Sequence, residues 1–156
     1  MIKEKAFICD IDNTILDITH RFHYLDGENT DWEAFLKEET MLKDTPIFET
    51  IELINFLNKK YPIIFITGRN EGTRRITCKQ IEKHCNLVYK GYILLMRKDG
   101  DMSQDTVIKE QLYREHVEPN YEIIGAFDDK TRVIELWRSL GIIGYHVGER
   151  ATGDGF

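Results

Sequence analysis

Short apolar runs recur along the chain at residues 6–9, 63–66, 92–96, 123–127 and 142–147, each mostly β-branched or aromatic and each about the length of one strand. They are continuous rather than alternating, the pattern of strands covered on both faces. Between them apolar residues return at helical spacing, which predicts helices over 47–59, 71–84, 104–116 and 131–140. Pro46 suits a first helical turn and Gly141 a helix end. This alternation predicts an α/β fold: a Rossmann-like parallel sheet with helices on both faces. Residues 17–45 break the rhythm. They are polar, carry a short amphipathic stretch over 32–38, and read as a small helical insertion or lid. With no repeat, low-complexity tract or linker, the sequence predicts one domain over 1–156.

Composition narrows the class. A chain of 156 residues can bury a real core, and 42% hydrophobic with 31% charged residues excludes a disordered or fibrous protein. No apolar run approaches a membrane span, and the charged start lacks a signal-peptide pattern, so a cytoplasmic location without membrane contact is expected. Cys9, Cys78 and Cys85 are an odd number without metal-finger spacing, which predicts reduced thiols, with Cys9 a small core residue. The net charge of −6 gives no overall attraction to nucleic acid, so any such contact needs a local patch.

In a doubly wound sheet ligands gather at the carboxyl ends of the strands. Asp10-Ile11-Asp12-Asn13-Thr14 follows the first run, Thr67-Gly68-Arg69 the second and Asp128-Asp129 the fourth, while Lys109 lies in the third helical segment. Asp10, Asp12, Asp128 and Asp129 brought together would repel one another unless a hard divalent cation such as Mg2+ neutralised them. One carboxylate then remains to attack. Asp10 is the candidate nucleophile, taking a phosphoryl group that water later removes. Asp12, two residues on, is the candidate proton donor to the leaving oxygen, help worth roughly 100-fold to 10,000-fold in rate. Thr67, Gly68 and Lys109 complete the set with a hydroxyl, close backbone donors and an ammonium for the phosphoryl oxygens.

These residues resemble the four motifs of the haloacid dehalogenase superfamily. The resemblance implies a Rossmann-like core, Asp10 as nucleophile and Mg2+ ligand, Asp12 as acid and base and a ligand through its backbone carbonyl, Asp128 as a further ligand and Asp129 in support. The stretches 66–74, 96–97, 105–110, 127–130 and 133–138 are similar to the 3′-phosphatase domain of phage polynucleotide kinase/phosphatases, as is the Gly-Asp-Gly-Phe ending. That likeness implies Arg21, Arg69 and Arg97 as holders of the substrate end and Asp105 as an added active-site carboxylate. Lys130 and Thr67 depart mildly from it, standing where an arginine and a serine are usual.

No Gly-x-x-x-x-Gly-Lys-[Ser/Thr] loop occurs, so phosphorylation by this chain is not expected and the activity is read as that of a free-standing phosphatase. The expected function is a Mg2+-dependent polynucleotide or nucleotide 3′-phosphatase acting on a phosphorylated nucleic-acid end or a nucleotide. A small-molecule mononucleotide phosphatase and a catalytically silent nucleic-acid-binding module are the alternatives, and homo-oligomerisation is left open. Arg74 and Arg75 read as a solvated helix face or a backbone-binding patch. Trp137 has core spacing, Trp32 and Tyr24 could stack on a base or build the insertion's own core, and the five histidines lack metal spacing.

Overall fold

The computed structural model describes residues 1–148; the Gly-Asp-Gly-Phe ending at 153–156 lies outside them. In chain order the elements are β1 (Glu4–Cys9), β2 (Leu16–Asp17), α1 (Trp32–Leu36), α2 (Glu38–Met41), β3 (Thr45–Pro46), α3 (Phe48–Asn58), β4 (Ile63–Asn70), α4 (Arg74–His84), β5 (Tyr92–Arg97), α5 (Asp105–Leu112), β6 (Tyr121–Asp128), α6 (Thr131–Ser139) and β7 (Gly144–His146). Five strands pair in parallel in the order β5-β4-β1-β6-β7.

The central strands alternate between two cores, as continuous apolar runs must when both faces are covered. Phe7, Cys9, Ile63 and Phe65 pack with Ile51 and Ile54 of α3 and Ile81 of α4. Ala6, Ile8, Ile64 and Ile66 pack on the opposite face with Val133, Ile134 and Trp137 of α6. The sheet is the Rossmann-like one that the hydrophobic pattern predicts. Trp137 is fully buried, edge-on to Tyr113 at 5.9 Å between ring centres, and serves the core. No helix among the described residues is long and apolar enough to cross a membrane.

Three local departures matter for the site. β4 runs on to Asn70 instead of ending at residue 66, because Gly68 and Arg69 bulge out between the Thr67↔Met96 and Asn70↔Arg97 pairs. The helix predicted over 104–116 ends at Leu112 and widens into a π turn, Tyr113–Val117, closed by Glu118 N–H donating to Tyr113 O at 2.8 Å. That widening lets both Tyr113 and Val117 reach the core. Finally, residues 17–45 hold a 3-10 turn, Thr19–Tyr24, together with α1 and α2. The segment's neck is clasped by the antiparallel pairs Leu16↔Pro46 and Asp17↔Thr45. Two-residue strands leave no hydropathy signal.

Candidate active site

β1 lies at the centre of the sheet, with β4 and β5 on one side and β6 and β7 on the other, so the chain changes direction beside it. Such a switch point opens a crevice at the carboxyl ends of the strands. Asp10 follows β1 and Asp128 ends β6, with Asp10 N–H donating to Phe127 O at 2.9 Å across the crevice. A tight turn follows, in which the N–H groups of Thr14, Ile15 and Leu16 all donate to Ile11 O. Asn13 takes the left-handed conformation (φ 58°), which asparagine tolerates better than most residues.

The first cluster is acidic. Asp10 is 6% exposed and Lys109 2% exposed. Lys109 Nζ donates to Asp10 Oδ1 at 3.0 Å and to Asp128 Oδ2 at 2.6 Å, while Thr14 Oγ1 donates to Asp10 Oδ2 at 3.2 Å. Burial and the neighbouring Asp128 push the Asp10 carboxyl up to about 6, against the pull of Lys109. Burial, Asp10 and Asp128 push Asp129 further, to about 9. Burial opposes the charge of Lys109, yet Asp10, Asp128 and Asp105 more than offset it and hold the ammonium well above its ordinary range.

Asp12 stands in a different environment. Arg69 Nε and NH2 donate to its Oδ1 at 3.0 and 2.6 Å, and Arg21 NH2 reaches the same oxygen at 3.4 Å. Burial works against the charge, but Arg69 and Arg21 outweigh it and hold the carboxyl below its usual range. Arg21 is fully buried and also donates to Asp44 and to Phe35 O, so its guanidinium faces the insertion rather than open solvent. Arg69 continues into Thr77 Oγ1 at 3.0 Å and Gln80 Oε1 at 2.7 Å.

A third group forms one wall. Arg97 donates to Gly68 O, Asp101 O, Ser103 O and Asp105 Oδ1, and Lys130 Nζ pairs with Asp105 Oδ2. The wall passes so close to the β4 bulge that a Cβ on Gly68 would lie 2.8 Å from Asp105 Oδ1. Thr67 is buried, and its Oγ1 accepts from Arg69 N–H at 3.1 Å, which leaves its own proton to donate. Each of Arg21, Arg69, Arg97, Lys109 and Lys130 thus pairs with a carboxylate.

Carboxylate oxygens of Asp10, Asp128 and Asp129 lie within 4.8 Å of one another, and Asp129 Oδ1 is buried without a hydrogen-bond partner. Hard oxygen donors, one of them orphaned and two with raised proton affinity, are the chemistry that Mg2+ satisfies. The residues present fit the ion. The Asp12 carboxylate belongs to the arginine group instead.

The family of the polynucleotide kinase PNKP phosphatase domain matches residues 4–151. The chain belongs to this family. It is 28% identical over 140 residues to a protein of Autographa californica nuclear polyhedrosis virus named as a bifunctional polynucleotide kinase/RNA ligase, covering 88% of this chain and 18% of that protein. A chain of the Pnkp1/Rnl/Hen1 RNA repair complex superposes with TM-score 0.74 at 23% identity over 95% of this chain and 44% of that one. A class C acid phosphatase from Bacillus anthracis shares the fold at TM-score 0.62 and 16% identity, over 99% of this chain and 70% of that one. The chain therefore spans less than half the length of the repair-complex chain and about a fifth of the viral protein. Membership makes it a phosphatase-type domain with a haloacid dehalogenase-like fold.

Asp44, Thr77 and Gln80 are site neighbours that sequence reasoning missed. Asp44 ends the polar insertion, where a carboxylate looks like solvated surface, yet its side chain is fully buried. Gln80 sits mid-helix on α4 with no motif around it, and donates to Met41 O and Asp44 Oδ2. Of the other candidates, Arg74 pairs with Glu71 and Arg75 with Glu38. Trp32 is 52% exposed and edge-on to Phe35, while Tyr24 packs partly buried on the core.

Proposed function

We propose that the chain is a Mg2+-dependent 3′-phosphatase of nucleic-acid ends, working through a phosphoryl group carried on Asp10. The observation that carries this reading is geometric: carboxylate oxygens of Asp10, Asp128 and Asp129 lie within 4.8 Å of one another with Lys109 on Asp10 and Asp128, while Asp12, two residues on, is held in a separate set by the Arg69 guanidinium. Placing the two carboxyls in separate sets leaves Asp10 to meet phosphorus and the metal and Asp12 to meet the leaving oxygen. Mg2+ held by Asp10, Asp128 and Asp129, with the Asp12 carbonyl, supplies positive charge against the carboxylates and the phosphoryl oxygens. Asp10 attacks phosphorus as the bond to the 3′ oxygen breaks, and Asp12 hands that oxygen a proton. A substrate entering as its monoanion supplies this proton, since the guanidiniums otherwise favour the Asp12 carboxylate. Asp12 then takes a proton from water, which attacks phosphorus and frees Asp10 and inorganic phosphate.

Lys109, the Thr67 hydroxyl and the backbone at Gly68 steady the phosphoryl oxygens. Arg21, Arg69, Arg97 and Asp105 shape the site, and residues 17–45 act as a small lid on a single domain. Support for a nucleic-acid substrate comes from the family and from likeness to a chain of an RNA repair complex. The net charge of −6 and the internal pairing of Arg21, Arg69 and Arg97 favour the second reading, a small phosphomonoester as substrate.

Phosphate release from a 3′-phosphorylated oligonucleotide, a 3′-mononucleotide and a 5′-mononucleotide, with and without Mg2+, separates the two. Strong preference for the oligonucleotide, lost without Mg2+ and in Asp10→Asn, is the expected result. Preference for a mononucleotide would move the substrate to the second reading, and no turnover on any of the three would refute both.

A further inference from the structure

We propose that Asp44 is a positioning residue for the proton donor, holding Arg21 and Arg69 so that they pin one oxygen of Asp12 and leave the other toward the substrate. The inference rests on the reading of Asp12 as general acid.

Asp44 gathers donors from three parts of the fold. His20 Nε2 and Arg21 Nε meet Oδ1 at 2.8 and 2.9 Å, while Arg21 NH2, Arg69 NH2 and Gln80 Nε2 meet Oδ2 at 3.0, 3.2 and 3.2 Å. His20 and Arg21 come from the turn that opens the insertion, Arg69 from the β4 bulge and Gln80 from α4. The Arg21 contact is bidentate, the geometry that fixes a guanidinium plane most firmly. On Asp12 the three arginine donors all converge on Oδ1, so Oδ2 is clear of both guanidiniums.

Two cations thus face two anions, and the NH2 groups of Arg21 and Arg69 are shared between them. The side chains of Asp44 and Arg21 are 0% exposed and that of Arg69 is 2% exposed, so no water stands ready to replace a lost contact. When the Asp44 charge is removed, Asp12 becomes the anion that both guanidiniums contact. Arg21, released from its fork, then closes on Oδ2. The oxygen that should face the leaving group faces a cation instead. The insertion is therefore part of the machinery that aims the acid and not merely its cover.

Leaving-group dependence tests this, because only a poor leaving group needs the proton. The variants are Asp44→Asn, Asp12→Asn and the double variant. The readout is kcat/KM, which stops at phosphoryl transfer, on a 3′-phosphorylated oligonucleotide and on p-nitrophenyl phosphate. Asp12→Asn is expected to lose roughly 100-fold or more on the oligonucleotide and much less on the aryl ester. Asp44→Asn is expected to show the same split at about 10-fold to 100-fold, and the double variant to be no worse than Asp12→Asn alone.

An equal loss on both substrates, or additive losses in the double variant, would overturn the role of Asp44. Absence of the split in Asp12→Asn itself would instead overturn the general-acid reading. Thermal unfolding accompanies each variant. Should Asp44→Asn fail to fold, His20→Ala removes one Asp44 donor at a side chain 33% exposed and is expected to show the split at about 3-fold. An even loss there overturns the proposal too.

Discussion

Replacing Lys109 by methionine removes an ammonium from among buried carboxylates while keeping most of the side-chain volume. The Nζ lies 3.0 Å from Asp10 and 2.6 Å from Asp128 with 2% of the side chain exposed, so solvent cannot take its place. Breaking a buried pair by deleting one partner costs about 3–5 kcal/mol. At roughly 2–4 °C per kcal/mol for a domain of this size, the metal-free Tm should fall by about 6–20 °C. The sign of the pH dependence follows from Asp10 at about 6 and Asp129 at about 9, both raised. The folded state keeps protons that the unfolded chain has released, so stability falls as pH rises from the ordinary carboxyl range through these values. Lys109 opposes that fall, and its removal steepens it: the deficit should be smaller at pH 5 than at pH 8 and keep growing as pH rises towards the Asp129 value of about 9. Mg2+ at a hundredfold excess over its Kd stabilises a folded protein by about 2.7 kcal/mol, and it should bind the variant's uncompensated cluster more tightly than the wild type's. Thermal unfolding in EDTA measures the Tm shift, and urea denaturation at both pH values, in EDTA and in Mg2+, measures the other three. A loss under about 1 kcal/mol at pH 8 in EDTA, well below the range for a broken buried pair, would refute the electrostatic reasoning. So would Mg2+ stabilisation no larger in the variant than in the wild type.

Gly68→Ala places a methyl 2.8 Å from Asp105 Oδ1, whose two oxygens are tied to Arg97 and Lys130. Stability should drop by about 1–3 kcal/mol, with kcat/KM falling at least tenfold (~1.4 kcal/mol) beyond any loss of folded protein. Trp137→Ala empties the largest fully buried side chain and should cost about 3–5 kcal/mol in chemical denaturation, with kcat of the folded fraction unchanged because Trp137 packs edge-on to Tyr113 within the apolar core and forms no hydrogen bond with the site's charged groups among the described residues. Turnover on a 3′-phosphorylated oligonucleotide should fall with added salt more steeply than turnover on a 3′-mononucleotide, a slope read from kcat/KM against log salt; equal slopes would exclude extended backbone contacts.

The sheet was legible because its evidence is local and redundant. Each central strand is a continuous apolar run, and both cores draw on alternate residues of that run. The bulge at Gly68 and Arg69 was not, since it is set by the partner strand: Arg97 Nε donates to Gly68 O across the gap at 2.8 Å. The acidic cluster could be read from the ends of strands, where polar residues have no other business. The guanidinium network could not. The family resemblance marks Arg21, Arg69 and Arg97 as holders of the substrate end, and only the fold shows that each answers a carboxylate brought from elsewhere in the chain. Asp44 was hidden for the same reason, since a charged residue in a polar segment gives no sign of being buried until its partners from β4 and α4 are in place.

That pairing bears on how an acidic protein can treat an anionic substrate. Cations committed to internal carboxylates do not attract phosphate from a distance; they fix the shape and charge of a small volume. In this volume Asp10, Asp128 and Asp129 outnumber Lys109, and burial together with this imbalance raises the proton affinity of Asp10 and Asp129. Around Asp12 the count is reversed, with Arg69 and Arg21 on one oxygen and Asp44 drawing part of their charge away. A divalent cation is favoured in the first place and disfavoured in the second. On the proposed mechanism, the carboxyl that bonds phosphorus is thus on the side that a metal would neutralise, and the carboxyl that moves a proton is on the side that it would not. Residues 10 and 12 share one short loop, so the division of labour comes from what the sheet, the bulge and the insertion bring to each.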